Sequence, residues 1–268
     1  DCKKYLTRAS NNVDEAVKLM RSEEGIKADK KSSRIAAEGV VYYYDTDQLA
    51  ILIEINSETD FVAKSDDFLI YVKQTCEIIS NNSYKNYSEL MASDNESLKN
   101  ELETLRKNYV TKLGENIQIR RYELFEKELH SVVGYTHNNK IGALVILKNE
   151  DAQLSKDICM QVVASNPLGL DKNSIAPDIL DNEKEVYKAE LDKLNKKDDI
   201  KRNIMEGKIK KFISENTLLN QPFIKDSALT LKKILKDNEI IYFKRYQLGE
   251  GIDKKKEDFA EEVYNQIK

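Results

Sequence analysis

The feature that most constrains this sequence is an order of elements that occurs twice. In each copy, two β-rich runs joined by a polar turn precede an amphipathic helix. The predicted elements are strands at 38–45 and 49–56 with a helix at 66–79, and strands at 129–136 and 140–148 with a helix at 152–164. The repeat predicts an α+β fold with two similar subdomains, each a small antiparallel sheet covered by helices.

The remaining segments complete the predicted domain organisation. Residues 1–23 should form a partial N-terminal helical domain with Asn12 as an N-cap, and residues 24–34 a Lys-rich linker. The core follows as an N-subdomain at 35–128 and a C-subdomain at 129–268. The C-subdomain contains a helical hairpin at about 183–211 and a C-terminal helical module at about 256–268, whose apolar face suits docking onto a partner. Smaller predicted elements are loops at 80–87 and 224–227, helices at 96–112 and 229–236, and strands at 116–125 and 240–248, the last returning to the second sheet.

Composition excludes several classes of protein. With 268 residues and 40% hydrophobic content the chain can build real cores, and its net charge of -4 shows no acidic or basic excess. Lys alternates with Asp and Glu, so direct binding of nucleic acid is not indicated. No apolar run reaches the roughly 20 residues that a membrane span needs. Cys2, Cys76 and Cys159 are far apart and odd in number, which favours reduced thiols.

One connection combines a large apolar residue with several carboxylates. It follows the buried strand at 49–56 and reads ETDFVAKSDDF, from Glu58 to Phe68, with Ser65 as the N-cap of the next helix. Connections of this kind normally lie at the surface, so Phe61 is well placed to enter a pocket on another protein. The alternative is that Phe61 folds back onto its own core, where Phe is commonly found.

The sequence has little equipment for catalysis. It contains no phosphate-binding loop, dinucleotide turn, nucleophile elbow or HExxH motif. His130 and His137 lack ligands at metal-binding spacing, and the carboxylates near Asp60 are ordinary helix caps. We therefore expect no metal, no cofactor and no enzymatic activity. His137 is either a surface residue of its turn or a contact to a partner.

Six segments in order resemble the elongation factor Ts family, the guanine-nucleotide exchange factors for elongation factor Tu. They are DCKK with Leu6, RIAAEG from Arg34, ETDFV from Glu58, GENI from Gly114 with Arg120 and Arg121, GYTH from Gly134, and LLNQPF from Leu218. The resemblance runs nearly end to end. It implies that residues 1–23 are part of a three-helix domain of ubiquitin-associated type, whose first helix is missing from this sequence, and that the hairpin is a coiled coil.

The resemblance also implies a function and a set of partner-binding residues. In that family an Asp-Phe pair wedges into the GTPase near its nucleotide and Mg²⁺, which here corresponds to Asp60 and Phe61, with Thr59 and Val62 supporting the turn. Lys3, Leu113 and His137 match further contacts. The implied partner is elongation factor Tu, with no nucleic acid or membrane, in a bacterial cytoplasm or an organelle of bacterial descent. A homodimer through the core or the coiled coil is a further expectation.

Two other classes of function stay open. The chain could be a binding or assembly partner of a GTPase that uses the same wedge without promoting exchange. It could also be an enzyme that acts through Asp60 or His137, although the missing motifs argue against this. Release of labelled GDP from the GTPase distinguishes all three.

Overall fold

A computed structural model describes residues 2–128 and 130–253, apart from the side chains of Cys2 and of several residues between 20 and 27. Within that range the chain forms two compact units. The first contains residues 2–44, 53–124 and 247–253, and the second contains residues 45–52 and 125–246. The predicted domain boundaries stay predictions, and the predicted C-terminal module at 256–268 lies outside the described residues.

Helices and antiparallel sheets make up the structure, which confirms the predicted α+β class. The helices are α1 (Cys2–Arg8), α2 (Val13–Lys31), α3 (Asp60–Ala63), α4 (Asp66–Ser80), α5 (Tyr87–Ala92), α6 (Glu96–Leu113), α7 (Ala152–Ser165), α8 (Pro177–Asp192), α9 (Asp198–Asn216) and α10 (Leu231–Leu235). The strands are β1 (Glu38–Asp45), β2 (Leu49–Ser57), β3 (Ile117–Glu126), β4 (Ser131–His137), β5 (Ile141–Leu147), β6 (Pro222–Phe223), β7 (Asp226–Thr230) and β8 (Ile240–Gln247). The sheets have the strand orders β1-β2-β3, β4-β5-β8 and β6-β7.

The sheet that precedes the Phe61 connection depends on a glycine. Gly39 in β1 has a φ of +130°, and a Cβ added there would lie 2.1 Å from the carbonyl oxygen of Ile55 in β2. Only glycine fits such a close approach of two strands at that φ. β2 is buried along nearly its whole length, so it gives the connection that follows it a rigid start.

In the first unit, three helices pack on one another. α4 buries one apolar face, which includes Phe68, Tyr71 and Cys76, and it packs against α6. α6 also packs against α2. The connection between β2 and α4 is therefore held at both ends by buried elements.

The second unit has its own core. β4 and β5 pair antiparallel, from Ser131 opposite Leu147 to His137 opposite Ile141, and α7 packs on both strands. β8 joins this sheet, as predicted. α8 and α9 pack on each other, and Lys208 on α9 forms an ion pair of 2.5 Å with Glu190 on α8. Two packed helices thus lie where the hairpin is predicted, while its coiled-coil character and its projection from the body stay predictions.

Residues 24–31 of the predicted linker are helical, because α2 continues to Lys31. Gly25 costs a helix roughly 1 kcal/mol, but packing of α2 on α6 outweighs that cost. Ala28 is buried, and Lys107 of α6 forms an ion pair of 2.9 Å with Asp29. The N-cap prediction for Asn12 is confirmed, since its side chain accepts a hydrogen bond from the N–H of Glu15.

Several short elements were not predicted, among them α5 and β7. α5 forms at the end of a polar segment because Asn86 caps it and Leu90 is fully buried. The loop predicted at 224–227 is in part the strand β7, which pairs with β6 across a register shift. Local polarity reveals neither the burial of Leu90 nor the pairing of β6 with β7.

Candidate functional site

Two helix caps follow one another in the connection after β2. Thr59 is the N-cap of α3, and its hydroxyl oxygen accepts a hydrogen bond of 3.3 Å from the N–H of Val62. Ser65 is the N-cap of α4, as predicted, and its hydroxyl oxygen accepts one of 3.3 Å from the N–H of Phe68. One helical turn, Asp60–Ala63, is thereby fixed between a buried strand and a buried helix.

Phe61 lies on the outer side of this turn. Its exposed fraction is 82%, whereas Phe68 on the next helix is fully buried. Val62 is half-buried and Ala63 is buried, so the turn rests on the protein through these two residues and presents Phe61 to solvent. The hypothesis that Phe61 belongs to the core is wrong for this structure.

The surroundings of Phe61 are charged. Lys64 forms an ion pair of 2.5 Å with Asp60, one helical turn away. Lys112 at the end of α6 donates a hydrogen bond of 2.7 Å to Asp67, and this bond raises the pKa of Lys112 above its ordinary value. The segment that carries the exposed ring therefore has paired charges on both sides of it in sequence.

A second loop, between α6 and β3, holds the start of the turn. The carboxylate of Glu115 accepts two hydrogen bonds from Thr59, one from its N–H at 2.9 Å and one from its hydroxyl at 2.6 Å. In the opposite direction, the carboxylate of Glu58 accepts a bond of 2.6 Å from the N–H of Asn116. We call this reciprocal arrangement of Glu58, Thr59, Glu115 and Asn116 the carboxylate clamp.

The clamp is anchored in turn by the end of α2. Asn116 is fully buried, and its side-chain amide donates to the carbonyl oxygens of Arg34 at 2.7 Å and Ser32 at 3.3 Å. Lys31 donates a bond of 2.7 Å to the carbonyl of Gly114, the left-handed C-cap of α6. Three segments distant in sequence thus meet beneath the Phe61 turn.

Sequence reasoning gave no role to Glu58, Glu115 or Asn116. The available signal was the GENI segment, which the resemblance singled out without a physical reason. The structure supplies that reason, because Glu115 and Asn116 bond to the loop that carries Phe61.

Leu113 and Lys3 have different relations to this site. Leu113 is the half-buried last residue of α6, two positions before Glu115, so it lies beside the clamp. Lys3 is exposed on α1, where its carbonyl accepts a local bond from the Thr7 hydroxyl. None of the contacts described for residues 2–128 joins Lys3 to the Phe61 turn.

His137 belongs to the second unit. It ends β4 at a turn in which Asn138 and Asn139 have φ values of 52° and 53°, as a type I′ hairpin turn requires. Its side chain is exposed, with Tyr135 Oη 3.2 Å from Nδ1 and Asn138 Nδ2 3.3 Å from Nε2. The turn position is as predicted, and a contact of His137 with a partner stays a prediction.

Two absences within the described residues bear on the class of this protein. Within residues 2–128 and 130–253, no three or more His, Cys, Asp and Glu side chains are grouped as a metal ion would need. No helix in the same part of the chain has the length and apolar character of a membrane span. Fold and site together define an α+β protein that presents one exposed aromatic ring from a fixed, charged turn.

Comparison with known proteins identifies the family. The family model "Elongation factor TS" matches residues 58–250. An elongation factor Ts of Thioalkalivibrio sulfidiphilus (strain HL-EbGR7) is 40% identical over 273 residues, covering 100% of this chain and 92% of that protein. Those of Francisella tularensis subsp. novicida (strain U112) and subsp. mediasiatica (strain FSC147) are 39% identical over 270 residues, with the same coverage. This chain belongs to the elongation factor Ts family, the proteins of translation elongation that its sequence resembles.

Proposed function

We propose that this chain is a guanine-nucleotide exchange factor that binds elongation factor Tu and promotes release of GDP. Asp60 and Phe61 would insert near the nucleotide and magnesium site of the GTPase. The observation that carries the proposal is Phe61, a large apolar side chain that is 82% exposed on a turn fixed by hydrogen bonds. Interface anchors are typically aromatic side chains that a rigid frame presents to a pocket.

The energetic requirement is within reach of one aromatic side chain together with its neighbours. A thousandfold acceleration of release requires about 4 kcal/mol of barrier lowering. Burying a Phe side chain contributes roughly 1.5 to 3 kcal/mol, provided that its pocket exists only when the magnesium region is displaced. Coupling is reciprocal, so returning nucleotide would weaken the complex by the same free energy.

The other predicted residues have supporting roles in this proposal. Asp60 would bond to the partner and orient the turn, while Thr59 and Val62 maintain its shape. Lys3, Leu113 and His137 would contact the GTPase elsewhere, and an exposed charge such as Lys3 would act mainly on the association rate. The chain would act in a bacterial cytoplasm and perform no bond chemistry of its own.

Release of labelled GDP from elongation factor Tu, measured with and without the chain, tests the proposal. We expect substoichiometric amounts of the chain to accelerate release, because an exchange factor is recycled when nucleotide returns. Binding without acceleration would instead identify a non-exchanging partner of the GTPase. Absence of both binding and acceleration would overturn the proposed function.

A further inference from the structure

We infer that Glu115 is a positioning residue, which holds the Phe61 turn in the form that binds the GTPase. The inference rests on the proposed function and adds to it a residue that does not itself need to touch the partner. Its basis is the carboxylate clamp, in which Glu115 accepts both the N–H and the hydroxyl of Thr59.

The bonds of Glu115 determine the orientation of the Thr59 hydroxyl. Because that hydroxyl donates its hydrogen to Glu115 at 2.6 Å, its oxygen lone pairs are directed elsewhere, and one of them accepts the N–H of Val62. A chain of hydrogen bonds therefore runs from Glu115 through Thr59 to Val62. Thr59 and Val62 flank the Asp60-Phe61 pair, so the carboxylate fixes the backbone on both sides of it.

Thr59 also lacks another described partner for its N–H. β2 ends at Ser57, so the sheet no longer offers an acceptor at this position, and Thr59 is only half-exposed. The bond of 2.9 Å to Glu115 replaces the missing ladder bond. Without it, the start of the turn would have to move outward to reach water.

Glu115 is itself well held, which is necessary for a residue that positions another. It follows the left-handed C-cap Gly114, whose carbonyl accepts a bond from Lys31, and it precedes the buried Asn116. The N–H of Asn116 donates to Glu58, which adjoins Thr59. The two loops consequently hold each other in place, and the Phe61 turn is anchored to the ends of α2 and α6.

A positioning role has a kinetic signature of its own. If the competent form of the turn becomes a minor state, the apparent dissociation constant rises in inverse proportion to its population. The rate at saturation stays the same, because Phe61 is intact in every complex that forms. Loss of Phe61 would instead lower the saturated rate.

The test combines exchange kinetics with amide hydrogen exchange on the full chain. For Glu115→Ala we expect the concentration for half-maximal GDP release to rise about tenfold, with a plateau within about twofold of wild type. The amides from Thr59 to Ala63 should exchange faster in the free protein. Glu115→Gln, which keeps one acceptor oxygen, should lie between Glu115→Ala and wild type, and Glu101→Ala, an exposed carboxylate on α6, is the matched control.

A double-mutant cycle makes the inference specific to the Thr59 bond. Thr59→Val removes the hydroxyl. In that background, Glu115→Ala should raise the concentration for half-maximal GDP release by a smaller factor than it does in the wild type. In a Thr59→Ser background, which keeps the hydroxyl, Glu115→Ala should raise that concentration as much as it does in the wild type.

The inference is wrong if a folded Glu115→Ala variant keeps wild-type protection of the amides from Thr59 to Ala63 and the wild-type concentration for half-maximal GDP release. It is also wrong if the effects of Glu115→Ala and Thr59→Val on that concentration are fully additive. If the wild type itself does not accelerate GDP release from elongation factor Tu, the proposed function is wrong. The amide measurement then still decides whether Glu115 holds the turn.

Discussion

Thr59 and Glu115 are 56 positions apart in sequence, yet the carboxylate of one accepts two hydrogen bonds from the other, at 2.9 Å and 2.6 Å. This relationship joins the turn that presents Phe61 to the loop that ends α6. An exposed aromatic ring on a free loop would lose conformational entropy on binding, whereas one on a fixed turn has already lost it. The exposure of Phe61 and the bonds of Thr59 are therefore parts of one arrangement.

Asn116 should contribute to stability through its buried amide. Its Nδ2 donates to two backbone carbonyls at the end of α2, so Asn116→Ala leaves those acceptors without this donor. We expect the free energy of unfolding to fall by about 1 to 3 kcal/mol, measured by denaturant titration. Asn100→Ala, at an exposed position on α6, is the control and should change it by no more than about 0.5 kcal/mol. Equal effects of the two substitutions would contradict the assigned role.

Two glycines should respond in opposite ways to the same substitution. A Cβ at Gly39 would lie 2.1 Å from the Ile55 carbonyl, so Gly39→Ala should destabilise the protein by more than about 3 kcal/mol or prevent folding. Gly207 in α9 has nothing within 4 Å of an added Cβ, and Gly207→Ala should stabilise by about 0.5 to 1 kcal/mol. Thermal unfolding of both variants gives the comparison. A Gly39→Ala variant as stable as wild type would show that β1 and β2 do not approach as described.

The thiols of Cys76 and Cys159 should be unreactive in the folded protein. Both are fully buried, and burial raises the pKa of each thiol well above its ordinary value, which disfavours the reactive thiolate. In a Cys2→Ser variant, a thiol reagent should label nothing until denaturant is added and then label two residues. Rapid labelling at pH 8 without denaturant would show that one of the two cores opens.

Replacement of residues 183–211 by a short Gly-Ser turn should leave most of the stability intact. Between residues 183 and 211 only Leu191 is buried, and the two helices pack on each other. We expect the melting temperature to change by less than about 4 °C. Self-association or affinity for the partner should change, which sedimentation and titration measure. A much larger drop in melting temperature would place the hairpin in the core of its unit.

The sequence predicted the elements whose signals are local. Alternation and turn residues located β1, β2, β4 and β5 nearly to the residue, and caps located α4 and the start of α2. The continuation of α2 to Lys31 was missed because the buried Ala28 and the Asp29–Lys107 ion pair depend on α6, which is remote in the sequence.

The site could be predicted only in part for the same reason. An apolar residue among carboxylates in a short connection identified the position of Phe61, and the resemblance supplied its proposed role. The clamp could not be predicted, because Glu58 and Glu115 are ordinary surface residue types until the fold brings their loops together. Periodicity carries no information on which carboxylate will meet which backbone amide.

The most direct test of the central claim is the saturated rate of GDP release from elongation factor Tu with Phe61→Ala. We predict a fall of at least about tenfold, since lost burial of roughly 1.5 to 3 kcal/mol corresponds to about 10- to 160-fold in rate. Met91, half-exposed on α5, is the matched control position. Met91→Ala should accelerate GDP release from elongation factor Tu as the wild type does. A folded Phe61→Ala variant with an unchanged saturated rate would contradict the account.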